Sequence, residues 1–399
     1  MLRKIDFIFV IEHHRRELSF VKEISRELQI RGYSIYIVSE YFSIWKLVFY
    51  KNAVVLLPHC ISLDSNILSC ISSRRGYQIV NMNWEQSLSP VSKSVKILRD
   101  DARNFYQMGW NSDFKDFLLQ DCGVSSEKIV RSLNPTKYLL TNSTKSTIFE
   151  RYLAKINLHK YIFVPLNYNW AMMSSKRRSK RIQNLGYDLD EALEYIKFSV
   201  LHQEKFFEFL RSLIKKDNRV IVIRPHPSIT VKAYIRKMRL NEELNRAIKS
   251  GRVIITDDHN AIDWINYAEV TISNWSTLVY DAYEAGKKAG YFWPCELPAI
   301  IDAEHTLTPP KFSNIDQFYT LKNKSPKNLT VTEFHALLEG LIEIIKYDGD
   351  HGIRWKLSIK RVFVSYFRNC LIIFGFGRLI PSRLRIDYFK PITYKKSSL

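Results

Sequence analysis

Short apolar runs alternate with helix-length amphipathic stretches along this chain, and the whole alternation occurs twice. Residues 5–11 form an apolar run rich in Ile, Phe and Val. Residues 12–17 are polar and predict a loop. Phe20, Val21, Ile24, Leu28 and Ile30 then recur at a helical period, and Gly32 ends the pattern. Residues 33–39 (YSIYIVS) predict a second strand. Strand, helix and strand in that order open a doubly wound sheet, because a right-handed crossover returns the chain beside the strand it left. Residues 53–57 (AVVLL) and 77–81 (YQIVN) predict further strands, 105–120 carry helix-like spacing, and 128–131 (KIVR) predict a short strand.

A second series starts near Lys160. Residues 161–165 (YIFVP), 219–224 (RVIVIR), 252–256 (RVIIT) and 270–273 (VTIS) predict strands. Between them lie helical patterns over 190–216, 231–250 (closed by Gly251), 261–267 and, after the last strand, 275–286. With 399 residues the chain exceeds what one core usually supports. The expected class is therefore α/β, with two Rossmann-like domains facing a cleft. We place an N-terminal acceptor domain at 1–150, a donor domain at 151–350 and a basic amphipathic tail at 351–399.

Charge narrows the partners. The formal net charge is +20, from 60 Lys+Arg against 40 Asp+Glu. Such an excess repels itself and calls for an anionic partner: nucleic acid, a membrane face or a phosphorylated substrate. From Trp355 the tail interleaves Lys356, Lys360, Arg361, Arg368, Arg378 and Lys390 with Phe363, Tyr366, Phe367 and Phe374. That composition suits an interfacial helix on an anionic membrane; a helix packed back across the domain junction fits it about as well. No zinc-finger or RNP-like pattern accompanies the charge, which argues against nucleic acid. Five scattered cysteines without a CxxC pair argue against a zinc site or a disulfide framework and fit a reducing cytoplasm. No stretch approaches the length of a membrane span, and the first apolar run reads as a buried strand rather than a signal segment.

Two motifs at strand ends carry chemistry. Arg224-Pro225-His226-Pro227 follows residues 219–224. The prolines fix the turn and remove two backbone donors, so Arg224 can fork onto a phosphate and His226 can donate to one or protonate it on departure. Ser273-Asn274-Trp275-Ser276-Thr277, followed by Asp281-Ala282, sits where a strand gives way to a helix. Free N–H groups beside hydroxyls there make an anion site, and Asp281 one turn on can hold ribose hydroxyls. Asp188-Leu189-Asp190 and Asp257-Asp258 have the look of metal-binding acidic pairs, but they open helices or turns and read as caps.

These residues resemble the bacterial surface carbohydrate biosynthesis glycosyltransferases, a GT-B group that includes Kdo-transferase-like capsule proteins and is distantly similar to the CDP-glycerol glycerophosphotransferases of teichoic acid synthesis. The resemblance runs over residues 5–300, with Asp281 where the group carries Glu and Leu278 where it carries Thr. It implies a nucleotide-sugar donor bound by Arg224, His226, Asn167, Ser273, Asn274, Ser276, Thr277 and Asp281. On the acceptor side it leaves Glu12, His13, Arg15, Arg16 and Glu17, which bind an anionic acceptor or form a solvated loop. Glu85, in Asn83-Trp84-Glu85-Gln86, is the candidate base, with a surface turn the competing reading. The basic run 176–181 either steers an anionic substrate or is a solvated helix face.

The function expected is metal-independent glycosyl transfer to a lipid-linked or glycan acceptor, without a cofactor, on the inner face of the cytoplasmic membrane. Transfer of a polyol phosphate from a CDP-polyol and 2-epimerisation of a nucleotide sugar are the alternatives.

Overall fold

Phe7–Ile11 is buried along its whole length, as are Ile35–Ser39, Val54–Leu57 and Tyr161–Pro165. A strand without an exposed face belongs inside a parallel sheet covered on both sides. The computed structural model has two such sheets. It describes residues 3–51, 53–61, 77–86, 88, 93, 96–142, 146–185, 188–296, 298, 307–325, 331–346, 359–374, 379–380 and 389–394. The chain divides into two compact units, one of Met1–Gln86, Lys96–Pro135 and Leu329–Leu399, the other of Ser87–Val95 and Thr136–Asn328.

Unit one is built on β1 (Phe7–Ile11), β2 (Ile35–Ser39), β3 (Val54–Leu57), β4 (Gln78–Asn81), β5 (Tyr106–Gly109) and β6 (Ile129–Arg131). They pair in parallel in the order β2-β1-β3-β4-β5-β6, and the strand Ile392–Tyr394 adds antiparallel to the free edge of β2. Ile8, Val10, Val38, Val55 and Leu57 form one side of its core. The helix His14–Ile30 buries Phe20, Val21, Ile24 and Leu28, at the spacing the sequence shows. It stops where Gly32 takes φ 86° and the Tyr33 N–H reaches back to the Leu28 carbonyl at 3.0 Å.

Unit two is built on β7 (Tyr161–Pro165), β8 (Val220–Arg224), β9 (Val253–Ile255), β10 (Val270–Ser273), β11 (Ala289–Phe292) and β12 (Lys311–Phe312), in the parallel order β9-β8-β7-β10-β11-β12. The helix Leu189–Lys216 lays Phe198, His202, Phe206, Phe209 and Leu213 in one stripe against this sheet. Each of the buried Phe and Leu side chains contributes about 1.5–3 kcal/mol of apolar burial. The Asp188 carboxylate caps that helix, accepting from the Asp190 and Glu191 N–H groups at 3.0 Å each, as its sequence position predicts.

The structure differs from the sequence expectation at several points. Residues 12–17 are not a loop: the helix starts at His14, so Arg15, Arg16 and Glu17 lie in its first turn. Tyr106–Gly109 is a strand where helix spacing was read, because its apolar side chains fill a sheet rather than a helix stripe. The single helix over 231–250 is two, Val231–Met238 and Glu242–Lys249, the second capped by Asn241 through the Leu244 N–H at 3.1 Å. Strands β11 and β12 have no counterpart in the expectation. Residues 329–399 group with unit one, and the described part of the tail holds the helix Ile359–Ile373 and the edge strand Ile392–Tyr394. Lys356, Arg378, Arg383, Arg385, Lys395 and Lys396 of the tail lie outside the described residues. Cys60, Cys122, Cys295 and Cys370 are free thiols; Cys70 lies outside the described residues.

Candidate functional site

The sheet of unit two changes winding direction between β7 and β10. From β7 the chain steps to β8 and β9 on one side, then returns to β10, β11 and β12 on the other. Helices diverge from such a point, leaving a crevice beyond the carboxyl ends of the two central strands where ligands bind.

Asn167 and Asn274 occupy that position. The Asn167 N–H donates to Asn274 Oδ1 at 3.0 Å, and Ser273 Oγ donates to the same oxygen at 2.8 Å. Ser273 also bonds to the Pro165 carbonyl, tying the ends of β10 and β7 together. The Asn167 N–H can only donate, so it fixes the amide with Oδ1 facing it. Asn274 is wholly buried, and its Nδ2 has no hydrogen-bond partner among the described residues. An unmet buried donor costs about 1–3 kcal/mol, a cost that an incoming acceptor atom removes.

The helix Thr277–Glu284 begins beside it. Ser276 stands at the N-cap, but its side chain makes no capping bond, so the first-turn N–H groups are not closed off by it. Thr277 is exposed, and Asp281 is buried within the helix. Behind the turn Trp275 packs on Tyr168 and His202, with ring centroids 5.8 and 5.1 Å away.

On the other flank of β7, Arg224 is the register partner of Pro165. Arg224 and Ser273 thus end neighbouring strands on either side of Pro165, about 10 Å apart by strand spacing. Arg224 Nη1 donates to the carbonyls of Asp258 at 3.1 Å and His259 at 3.0 Å. Part of its fork therefore braces the loop after β9, where His259 holds φ 58°. Burial raises the pKa of Asp263 in the next helix, against the opposing charges of His259 and Arg224. His226 Nδ1 accepts from the Ser228 N–H at 3.2 Å and lies 2.9 Å from Ser228 Oγ.

Of the donor-side residues expected from the sequence, Asn167, Arg224, His226, Ser273 and Asn274 lie at or just past the carboxyl ends of neighbouring strands, Ser276 caps the following helix, and Thr277 and Asp281 lie within it. The basic run forms the helix Ser175–Leu185, fastened by Arg178 to the carbonyls of Trp170 and Ala171 at 2.9 Å each, with Lys176, Arg177 and Lys180 exposed. A polar depression of about 850 Å³, lined by Lys215, Asp217, Arg219, Arg252, Glu269 and Tyr319, lies at the opposite, amino end of the strands. Its cations are engaged within the fold, Arg219 with Asp217 at 2.5 Å and with Glu269 at 3.2 Å.

Unit one has its own winding reversal, between β1 and β3. Glu12 leaves β1, and Arg16 and Glu17 follow in the first helical turn. Arg16 Nη2 donates to Glu17 Oε1 at 2.8 Å, and Nη1 to Glu85 Oε1 at 2.7 Å. The Glu12 N–H donates to Glu17 Oε2 at 2.9 Å. Burial works against the Arg16 charge, but Glu17, Glu85 and Glu12 outweigh it and raise the guanidinium pKa. Burial raises the pKa of Glu17, with Arg16 opposing. Glu85, 72% exposed, is also held through its carbonyl by Lys96 Nζ at 2.7 Å. Glu12, His13, Arg16, Glu17 and Glu85 are therefore one connected group, while Arg15 sits half-buried on the same helical turn.

Sequence reasoning passed over two members. His59 Nδ1 lies 3.3 Å from Glu12 Oε2, and Tyr41 donates to Glu12 Oε1 at 3.0 Å. His59 stands just past the 53–57 run, the same kind of strand-end position that drew attention to Glu12.

No family model matches the chain, and no curated protein sequence matches it. Among solved structures, a histidine-to-alanine variant of the wall teichoic acid polymerase TagF is similar at TM-score 0.50 and 11% identity, covering 95% of this chain and 91% of that one. The UDP-GlcNAc 2-epimerase from Methanocaldococcus jannaschii is similar at TM-score 0.48 and 11% identity, covering 94% and 100%. The first likeness shows the fold, a GT-B-like pair of Rossmann-type units.

Proposed function

We propose that the chain is a glycosyltransferase that takes a sugar from a nucleotide-sugar donor and passes it to a lipid-linked or glycan acceptor in surface polysaccharide synthesis. One observation carries the reading. The winding reversal of unit two presents a buried, unmet Asn274 amide donor beside a helix start that its N-cap side chain leaves open. His226 lies along the same edge. Donors along one sheet edge suit the phosphates of a nucleotide, and they suit them best when a phosphate departs with added negative charge. In the reaction the acceptor oxygen bonds to the anomeric carbon. The bond from that carbon to the phosphate oxygen breaks, and its electron pair leaves on the nucleotide. His226, the Asn274 amide and the first amide groups of the helix Thr277–Glu284 can stabilise that charge without a metal ion.

The membrane-proximal half of the reading rests on unit one. Phe49, Phe367, Ile373, Phe374 and Leu379 are exposed, and Tyr366 packs on Trp45 at 5.1 Å, which brings the tail helix against the turn Ile44–Phe49. Lys46 and Arg368 lie on the same two elements. Apolar side chains among cations support peripheral attachment to an anionic leaflet. Among the described residues no helix is long and apolar enough to cross a membrane.

The deciding measurement is thermal stabilisation by CMP-, CDP-, UDP- and GDP-sugars, since the base that stabilises identifies the donor class. Failure of all of them rules the reading out. Stabilisation by CDP-glycerol, with phosphorus incorporated into product, moves the assignment to polyol-phosphate transfer.

A further inference from the structure

Glu12 and His59 meet where the sheet of unit one reverses its winding. From β1 the chain goes to β2 on one side, then to β3 and onward on the other, so the crevice lies beyond the ends of β1 and β3. Glu12 directly follows β1, and His59 stands two residues beyond Leu57 at the end of β3. The loop carrying His59 is pinned from below. Asn81, buried at the end of β4, accepts from the Cys60 N–H and donates to the Cys60 carbonyl, both at 3.0 Å. The carboxylate is pinned by the Tyr41 hydroxyl on Oε1, and the Glu12 backbone by its N–H on Glu17 Oε2 at 2.9 Å. His13 Nε2 lies 3.5 Å from Oε1.

We propose that His59, oriented by Glu12, is the general base that takes the proton of an incoming saccharide hydroxyl, with Tyr41 and His13 completing that polar site. The proposal rests on the transferase reading above. A carboxylate facing Nδ1 holds the ring with Nδ1 protonated and leaves the Nε2 lone pair as the acceptor, the logic by which a third group orients a catalytic imidazole. Exposure divides in the sense this requires: Glu12 is 16% exposed and His59 56%. Glu85 is placed differently, with one oxygen already occupied by the Arg16 guanidinium. In the step, the hydroxyl proton moves to His59 Nε2 as its oxygen bonds to the anomeric carbon. The nucleotide phosphate leaves with the electron pair of the broken bond, and His59 then gives the proton to water.

The test uses the full-length chain and the nucleotide sugar that stabilises it most, with nucleotide release into water as the readout of turnover. His59→Gln should keep the thermal shift with nucleotide and lose about 10²–10⁴-fold in release, the usual worth of a general base. Glu12→Gln should lose less than His59→Gln on the same scale. Full turnover in His59→Gln, or loss confined to Glu85→Gln, overturns the assignment. If no nucleotide sugar stabilises the parent chain, the transferase reading fails first. The dyad is then read directly by ¹⁵N NMR of the His59 ring. An Nδ1–H tautomer that changes in Glu12→Gln upholds it, and an Nε2–H ring indifferent to that change overturns it.

Discussion

The main-chain N–H of Ser228 donates to Nδ1 of His226 at 3.2 Å. An amide N–H can only donate, so Nδ1 is the acceptor and the neutral ring carries its proton on Nε2. Pro225 and Pro227 on either side have no N–H to compete. The turn that the sequence marks as rigid thus also selects a tautomer, one that presents a donor from the far side of the ring.

His226→Gln should therefore outperform His226→Asn, because the Gln amide can reach the Nε2 position and Asn mimics Nδ1. We expect nucleotide release to fall at least about 10²-fold in His226→Ala, as for loss of a donor to a developing charge, with partial recovery in Gln only. Equal activity in Gln and Asn would contradict the tautomer.

Asn274→Asp keeps an oxygen for the Asn167 N–H and the Ser273 hydroxyl but replaces the unmet donor with a second acceptor. Nucleotide affinity should drop by about tenfold or more, the value of one charge-assisted hydrogen bond, while the fold persists. Calorimetric titration with the stabilising nucleotide measures it, and unchanged affinity would remove Asn274 from the site.

His202 makes stability depend on pH. It is buried, with Nε2 facing the Phe292 carbonyl at 3.2 Å and Nδ1 facing the Tyr168 hydroxyl at 2.7 Å. Burial pushes its pKa down to about 4 from 6.5, with the Phe292 carbonyl opposing. The unfolded chain binds the proton first, so the contribution is complete above pH 6.5 and is lost as pH falls from 6.5 toward 4. The loss reaches at most about 3 kcal/mol. Urea unfolding at pH 7.5 and pH 5 should show a smaller difference in His202→Gln than in the parent.

Arg16→Met leaves Glu17 buried without its guanidinium, which should cost about 3 kcal/mol in urea unfolding. Replacing both, as in Arg16→Met with Glu17→Met, should recover most of that, since a well-packed apolar pair needs no counter-charge. A single variant as stable as the parent would show the pair to be dispensable.

Phe367→Glu with Phe374→Glu should weaken co-sedimentation with vesicles containing anionic lipid by at least about tenfold, because both apolar contact and charge attraction are lost. Neutral vesicles should bind poorly even to the parent chain. Binding unaffected by the double change would place the contact elsewhere.

Much of this protein is legible without coordinates where local chemistry is strong. Phe7–Ile11, Val54–Leu57 and Tyr161–Pro165 are apolar on both faces, so a doubly covered parallel strand suits them. Asp188 caps because a carboxylate two and three residues before free N–H groups has that option in any context. The short strand Tyr106–Gly109 and the split of 231–250 were not legible, since a few residues of mixed pattern fit helix and strand alike until the sheet assigns them.

Sequence alone determined the two α/β series and put Arg224, His226, Ser273 and Asn274 at strand ends, because strand-end position follows from local pattern. Tertiary structure alone decided strand order, and with it which ends adjoin a winding reversal. That order draws Asn167 onto Asn274 across 107 positions and His59 onto Glu12. It also turned part of Arg224 toward the Asp258 and His259 carbonyls. Side chains far apart in the chain meet only through packing, and no periodicity in the sequence encodes which strand lies beside which.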